Sequence, residues 1–380
     1  LKPVQIKEVV LHTVKMKLIA PFTTSFGTFQ EKHVCLVEAI DESGISGWGE
    51  TTTSDEPYYN EETTHTAVYM LKDFLISRII HKTIEHPLDV HDMLTFVRRN
   101  QIAKSAIETA VWDVFAKKNN VPLSELIDGT KTEIEVGKSI GIQATPEKLV
   151  EKVGEYVEEG FRKLKVKIAP GADLDYIDAV RKAFPDIPLM ADANSAYTLN
   201  DVDQLKQLDQ YNLMMIEQPL AHDDIIDHAT LQKEIQTPVC LDESIHSLED
   251  ARKALQLGSC RIINIKIGRV GGLGESIRIH DLCRDNGVPV WCGGMLETGI
   301  GRAHNIALTS LSNFTIPGDT APSSHYWDED IIEPEVTMDH GIIQVQTGPG
   351  IGFDVNREKL EQLTVEKESI TTAVTPHPMP

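Results

Sequence analysis

Between residues 130 and 320, short apolar runs recur. Each is followed by a polar or acidic residue and then by a stretch with helical periodicity. The runs are EIEVGKSIG (133–141), RKLKVKI (162–168), IPLMADAN (187–194), NLMMIEQP (212–219), TPVCLDES (237–244), CRIINIKIG (260–268), VPVWCGG (288–294) and NFTIPGD (313–319). Helix candidates between them include DLDYIDAVRKAF (173–184), LNDVDQLKQLDQ (199–210), SLEDARKALQLG (247–258) and GESIRIHDLCRDNG (274–287). Eight strand–helix alternations predict a parallel α/β barrel rather than an open sheet.

The flanks carry a different pattern. VQIKEVVLHTVKMKL, HVCLVEAID and ISGWGE read as a small antiparallel sheet, followed by a helical region that includes KSAIETAVWDVFAKKN (104–119). After about residue 330 come strand-like HGIIQVQTG and GIGFDV, then EKLEQLTVEK. We therefore expect an α+β capping domain over 1–130, a barrel over 131–325, a C-terminal segment over 326–370 that returns to the cap, and a disordered tail over 371–380.

Within the barrel pattern, certain charged residues keep a constant step. Lys167 to Asp192 is 25 residues, Asp192 to Glu217 is 25, Glu217 to Asp242 is 25, and Asp242 to Lys266 is 24. One βα unit has about that length, so each residue falls at the same phase, near the C-terminal end of a strand. That is the end on which barrel enzymes build their sites. Charges placed for solubility alone have no reason to keep the step.

Three carboxylates converging on adjacent strands repel one another unless a cation joins them. Asp192, Glu217 and Asp242, with no His or Cys at matching phase, point to a hard divalent cation: Mg²⁺, with Mn²⁺ second. Lys167 precedes this set by one unit and Lys266 follows it by one, so a substrate carboxylate between them presents its α-carbon to both amines. A lysine serves as the base once its pKa is lowered, and a neighbouring cation acts in that direction. Lys165 is placed to do this for Lys167, as Arg269 is for Lys266. Asn194 either positions a ligand or Lys266, or caps the next helix. Glu297, in GGMLETGIGRA, either orients a lysine or caps a helix. GRVGGLGES (268–276) lacks the Lys-Ser/Thr of a phosphate loop.

Composition narrows the partners. The formal charge of −22 argues against nucleic acid or an anionic membrane, both of which are bound through Lys and Arg. Five cysteines without CxxC pairing fit reduced thiols in a cytoplasmic protein. A small-molecule carboxylate is the expected substrate, and a homo-oligomer the expected assembly.

KxK on one strand, then DAN, EQP, LDES and a Lys on the sixth strand, resembles the muconate-lactonizing-enzyme subgroup of the enolase superfamily. The resemblance spans nearly the whole chain and implies a (β/α)7β barrel with an α+β cap. Within the subgroup, GGMLETGIGRA and PGDTAPSSHYW are most similar to the o-succinylbenzoate synthase / N-succinylamino acid racemase family. The resemblance implies Mg²⁺ on Asp192, Glu217 and Asp242, proton abstraction by Lys167, and stabilisation of the enediolate by Lys266. The implied reaction is a carbon–oxygen lyase step of menaquinone biosynthesis, syn dehydration of 2-succinyl-6-hydroxy-2,4-cyclohexadiene-1-carboxylate. Racemization of N-succinylamino acids would use the same lysines.

The loops PFTTSFG (21–27) and TTTSDEPYYN (51–60) are then expected to cover the site, with Phe22, Thr24, Tyr58, Gly293 and Met295 as substrate contacts. Gly318-Asp319-Thr320-Ala321 departs from the D-x-D of dipeptide epimerases. A dedicated N-acylamino acid racemase, a muconate-type cycloisomerase and a non-catalytic binding barrel are the rival readings.

Overall fold

The computed structural model describes residues 1–24 and 27–373. Ser25 and Phe26 of the expected loop 21–27, and residues 374–380 of the expected tail, lie outside the described residues. Strands β1 (Val4–Thr24), β2 (Gly27–Asp41) and β3 (Ser46–Glu50) form an antiparallel sheet, as their period-two patterns require. Phe22 pairs with Phe29 and Thr23 with Thr28, so the described part of the expected loop lies in paired strands. The late strand Thr364–Ile370 adds antiparallel to β1, and Arg357 forms an ion pair with Glu38 on β2. The chain end is thereby tied to its beginning.

The second sheet is parallel and runs in chain order: β4 (Lys138–Ile140), β5 (Leu164–Lys167), β6 (Leu189–Asp192), β7 (Ile216–Glu217), β8 (Val239–Leu241), β9 (Ile262–Ile265) and β10 (Val290–Cys292). The eighth run, NFTIPGD, makes only isolated bridges, Val290 to Phe314 and Val136 to Gly318, which join the two ends of the curved sheet. Pro317 has no amide hydrogen to give a ladder there. EIEVGKSIG divides in two. Glu133–Glu135 pairs antiparallel with Ile342–Gln344, and only Lys138–Ile140 joins the barrel. Between the two pieces, a Cβ at Gly137 would stand 2.7 Å from Lys163, so the strands can approach there only without a side chain.

Helices α1 (Gln101–Asn119), α2 (Pro146–Glu158), α3 (Leu174–Ala183), α4 (Ile226–Glu234), α5 (Leu248–Leu257), α6 (Leu273–Asp285) and α7 (Gly299–Thr309) include those predicted from periodicity. The stretch LNDVDQLKQLDQ is α-helical only over Val202–Lys206, between two 3-10 turns. Helix α1 packs on β3 at glycine: a Cβ at Gly49 would lie 1.9 Å from the Ala106 carbonyl.

Two buried glutamates join the N-terminal part to the barrel. Glu50, at the end of β3, accepts from the Thr298 and Gly301 amides at the start of α7. Glu108, on α1, accepts from the Leu273 and Gly274 amides at the start of α6. Helix N-termini expose unsatisfied donors, and a carboxylate satisfies them while opposing the helix dipole. Burial pushes both carboxyls up to about 7.

Candidate active site

Register along the parallel sheet explains the constant step in sequence. Lys167 pairs with Asp192, Asp192 with Glu217, and Glu217 with Cys240. Asp192 and Glu217 therefore stand abreast, while Asp242 lies two residues beyond Cys240, on the same face but one position higher. Strand β9 continues the climb: Leu241 pairs with Ile263, so Lys266 follows from the top of its strand. Equal spacing in sequence becomes a rising arc, because neighbouring strands of a barrel are staggered.

Contacts within the arc are dense. Lys167 Nζ donates to Asp192 Oδ2 and to Asn194 Oδ1, both at 2.6 Å. Lys165 Nζ lies 3.3 Å from Asp192, 3.2 Å from Glu217 and 2.8 Å from Asp319. Lys266 Nζ donates to Asp242 Oδ2 at 2.8 Å and to the Tyr59 hydroxyl at 3.0 Å. Arg269 donates to Asp242 Oδ1, to the Asn264 carbonyl, and to the Ile245 carbonyl at 2.6 Å. Asn264 donates to Glu217 Oε1 at 2.7 Å and accepts the Gly293 amide at 2.7 Å.

Burial and mutual repulsion set the electrostatics. Burial, then the Asp192 charge, pushes Glu217 up to about 7. Burial and the charges of Asp242 and Asp192 raise Glu243 to about 8. Asp192 is held at about 2: burial opposes its ionisation, but Lys167 and Lys165 outweigh it. Burial likewise opposes the charge on Lys266 and Lys165, yet Asp242 raises the first and Asp319, Glu217 and Asp192 raise the second. The lowering expected of a base is therefore not found at Lys266. Lys165 is a fixed cation two residues from Lys167.

Both Lys167 and Lys266 line one cavity, whose walls also include Phe22, Thr24, Tyr59 and Met295. Gly293 lies behind it, where an added Cβ would stand 2.7 Å from Lys266 Cε. Tyr58 is not among these lining residues. It is 60% exposed and borders a neighbouring cavity, and the tyrosine that turns inward is the half-buried Tyr59, which also donates to Asp242 at 3.0 Å. No periodicity in YYN distinguishes the two. Asn194 holds Lys167 rather than Lys266, and its amide donates to Glu243 at 3.0 Å. Glu297, two residues before α7, accepts from Asn305 of that helix at 3.0 Å and bonds no lysine.

Sequence reasoning missed Asn264, Glu243 and Asp319. The first shares a face with Lys266 in INIK, and the second adjoins Asp242 in LDES, so period and adjacency were available signals. Asp319 was read only as a departure from a motif, yet it pairs with both Lys163 and Lys165.

Among the described residues, no three His, Cys, Asp or Glu side chains are grouped to enclose a metal, and each carboxylate of the arc bonds an amine, amide or guanidinium. The donor chemistry nevertheless fits a hard cation. Asp192, Glu217 and Asp242 offer oxygen alone, they repel one another in a buried site, and Glu243 Oε2 is buried without a hydrogen-bond partner.

Comparisons with known proteins agree with this geometry. Residues 6–128 match the mandelate racemase / muconate lactonizing enzyme N-terminal domain, and residues 148–359 match the enolase C-terminal domain-like family. The chain is 59% identical to an o-succinylbenzoate synthase of Geobacillus stearothermophilus, over 95% of this chain and 96% of that one. It is 43% identical to an N-succinylamino acid racemase of Thermus thermophilus, over 93% and 96%. A crystal structure of an enolase superfamily member from Listeria innocua superposes with a TM-score of 0.95 at 42% identity, covering 97% of this chain and 99% of that one. With both family models matched, over 6–128 and 148–359, and 59% identity along nearly its whole length, the chain belongs to the mandelate racemase / muconate lactonizing enzyme group of the enolase superfamily, whose members work with a divalent metal.

Proposed function

We propose that the protein is an o-succinylbenzoate synthase that also racemizes N-succinylamino acids. The observation that carries this reading is that Lys167 and Lys266 line one cavity at the carboxylate arc. The high identity to curated synthases along nearly the whole chain agrees with it. Charge supports a dianionic substrate. Asp192, Glu217, Asp242, Glu243 and Asp319 stand among Lys163, Lys165, Lys167, Lys266 and Arg269, five charges of each sign when all are ionised. A divalent cation and a dicarboxylate together preserve that balance.

Asp192, Glu217 and Asp242 would hold Mg²⁺, which supplies charge stabilisation for a substrate carboxylate as its α-carbon loses a proton. Lys167 takes that proton, with Asn194 and Asp192 fixing its amine. In the synthase reaction the C–H and C–O bonds on one face break, Lys167 returns the proton to the departing hydroxyl, and water leaves as the ring becomes aromatic. In racemization Lys266 protonates the opposite face instead. Phe22, Thr24, Met295 and the backbone at Gly293 would shape the distal part of the cavity. The division into 1–130, 131–325, 326–370 and a tail is our reading of the domains. Five buried, unpaired cysteines support a cytoplasmic setting.

Two assays on the purified protein with Mg²⁺ test the reading. Loss of cyclohexadiene absorbance follows dehydration, and polarimetry with N-succinylphenylglycine follows racemization. Turnover of neither substrate would overturn it. The identity to the Thermus racemase favours a dedicated racemase as the second reading, which racemization without dehydration would select. Asp319 bears on a dipeptide epimerase, because its carboxylate is occupied by two lysines and is not free to hold an α-ammonium group.

A further inference from the structure

Lys138 is buried without a counter-ion. It pairs with Leu164 on β5, whereas its neighbour Ser139 pairs with Lys165, which faces the barrel interior. Alternation therefore turns Lys138 outward, beneath α2 and the segment 324–326. Only 6% exposed, it lies 4.5 Å from the Tyr326 ring centroid and 5.5 Å from that of Tyr156, and no carboxylate or carbonyl of the described residues pairs with it.

The carboxylates around it contact other side chains rather than Lys138. Glu159 pairs with His325 at 2.8 Å, Glu155 with Lys152 at 2.5 Å, and Asp319 with Lys163 and Lys165. Arg302, whose guanidinium lies 4.4 Å from the Tyr326 ring, adds a further cation to the field, which the charges of Asp319 and Glu159 oppose from farther off than an ion pair. Burial, then Arg302, pushes the Lys138 amine down to about 7. An isolated ammonium in such surroundings is costly unless something neutralises it. In a chain of net charge −22, a buried lysine with no ion pair is the exception.

Lys138 opens onto a cavity of about 600 Å³, distinct from the one that holds Lys167 and Lys266. Its walls combine aliphatic and aromatic surface from Ile19, Pro21, Ile142 and Tyr156 with a polar side formed by Lys152 and the paired Glu159 and His325. Phe22 and Leu296 are shared with the catalytic cavity and form the partition between the two. We propose that this second cavity binds an amphiphilic carboxylate, with the carboxylate on Lys138 and the apolar body along Ile19, Pro21 and Ile142. Because Phe22 and Leu296 belong to both walls, an occupant there bears on the shape of the catalytic cavity.

Calorimetric titration of the full chain with 2-naphthoate, which carries one carboxylate on an apolar body, tests the site. The wild type and a Lys167→Ala variant should bind it alike, while Lys138→Met should bind about tenfold more weakly or worse. Lys138→Arg should restore binding, and neutral 2-naphthamide should bind the wild type about tenfold more weakly than the acid. Should Lys138→Met not fold, the acid–amide comparison decides. The proposal is overturned if the wild type does not bind 2-naphthoate, if Lys138→Met binds it as tightly, if the amide equals the acid, or if Lys167→Ala loses binding.

Discussion

Lys266 and Arg269 divide the Asp242 carboxylate between them, Lys266 Nζ on Oδ2 at 2.8 Å and Arg269 Nη1 on Oδ1. Arg269 is 1% exposed and also satisfies the carbonyls of Asn264 and Ile245. Its removal takes the charged partner from a buried carboxylate oxygen, leaving it only the Tyr59 hydroxyl, and deprives two carbonyls of their guanidinium donor at once. Arg269→Leu should therefore lose about 3–5 kcal/mol of stability, read from urea denaturation. A midpoint equal to that of the wild type would contradict this account.

Asn194 supplies one of the two acceptors that aim the Lys167 amine. Asn194→Leu should lower kcat about tenfold through misplacement of the base, roughly 1.4 kcal/mol of barrier, while the far-ultraviolet spectrum stays unchanged. Lys167→Ala should lower both activities by about 10²–10⁴-fold. If α-proton exchange into D₂O persisted for both substrate enantiomers, Lys167 would not be the base.

Adjacent tyrosines should differ sharply. Tyr59→Phe removes a hydroxyl that bonds both Asp242 and Lys266 and should cost about tenfold in kcat. Tyr58→Phe alters an exposed ring and should stay within about twofold. Steady-state kinetics on the pair checks the assignment.

Metal addition should be visible in stability as well as in rate. At about 100-fold excess over its dissociation constant, Mg²⁺ should stabilise the fold by about 2.7 kcal/mol. Chelator should reverse the shift in melting temperature. Glu217→Gln should abolish the response to Mg²⁺, and a full response in that variant would remove Glu217 from the ligand set.

Acid sensitivity should trace partly to Glu38. Burial opposes its ionisation, but hydrogen bonds from His12, Arg357 and Ser46 outweigh burial and hold it at about 2, against an ordinary 4.5. A depressed carboxylate adds stability that is present above the ordinary value and is lost as pH falls toward about 2. Glu38→Gln should thus be less stable than the wild type at neutral pH by about 1–3 kcal/mol. The gap should narrow in acid, and thermal melts across the acid range would expose a gap that fails to close.

The barrel was legible because βα units impose a repeating length, which carried Lys167, Asp192, Glu217, Asp242 and Lys266 to one end of the sheet. Stagger was not legible: nothing in LDES shows Asp242 standing one position above Glu217. Contacts between distant segments escaped for a related reason. Tyr59 reaches Asp242 from 183 residues away, and no local pattern encodes that approach. Lys163, at the entry of RKLKVKI, has surroundings that no local pattern encodes either. It is fully buried on Asp319, with its amine 3.6 Å from the Trp291 ring centroid, because the interior is closed by a tryptophan rather than open to water.

Glu50 and Glu108 end inside helices that belong to the other half of the molecule. The N-terminal part, which lines the cavity of Lys167 and Lys266, is therefore not an interchangeable lid. A chimaera that grafts this region from a relative must bring a glutamate to each of two sockets, or it leaves four backbone amides without acceptors. Divergence of specificity on this scaffold is thereby steered toward point changes at the hairpin and toward loop residues such as Tyr59, and away from wholesale exchange of the part that carries them.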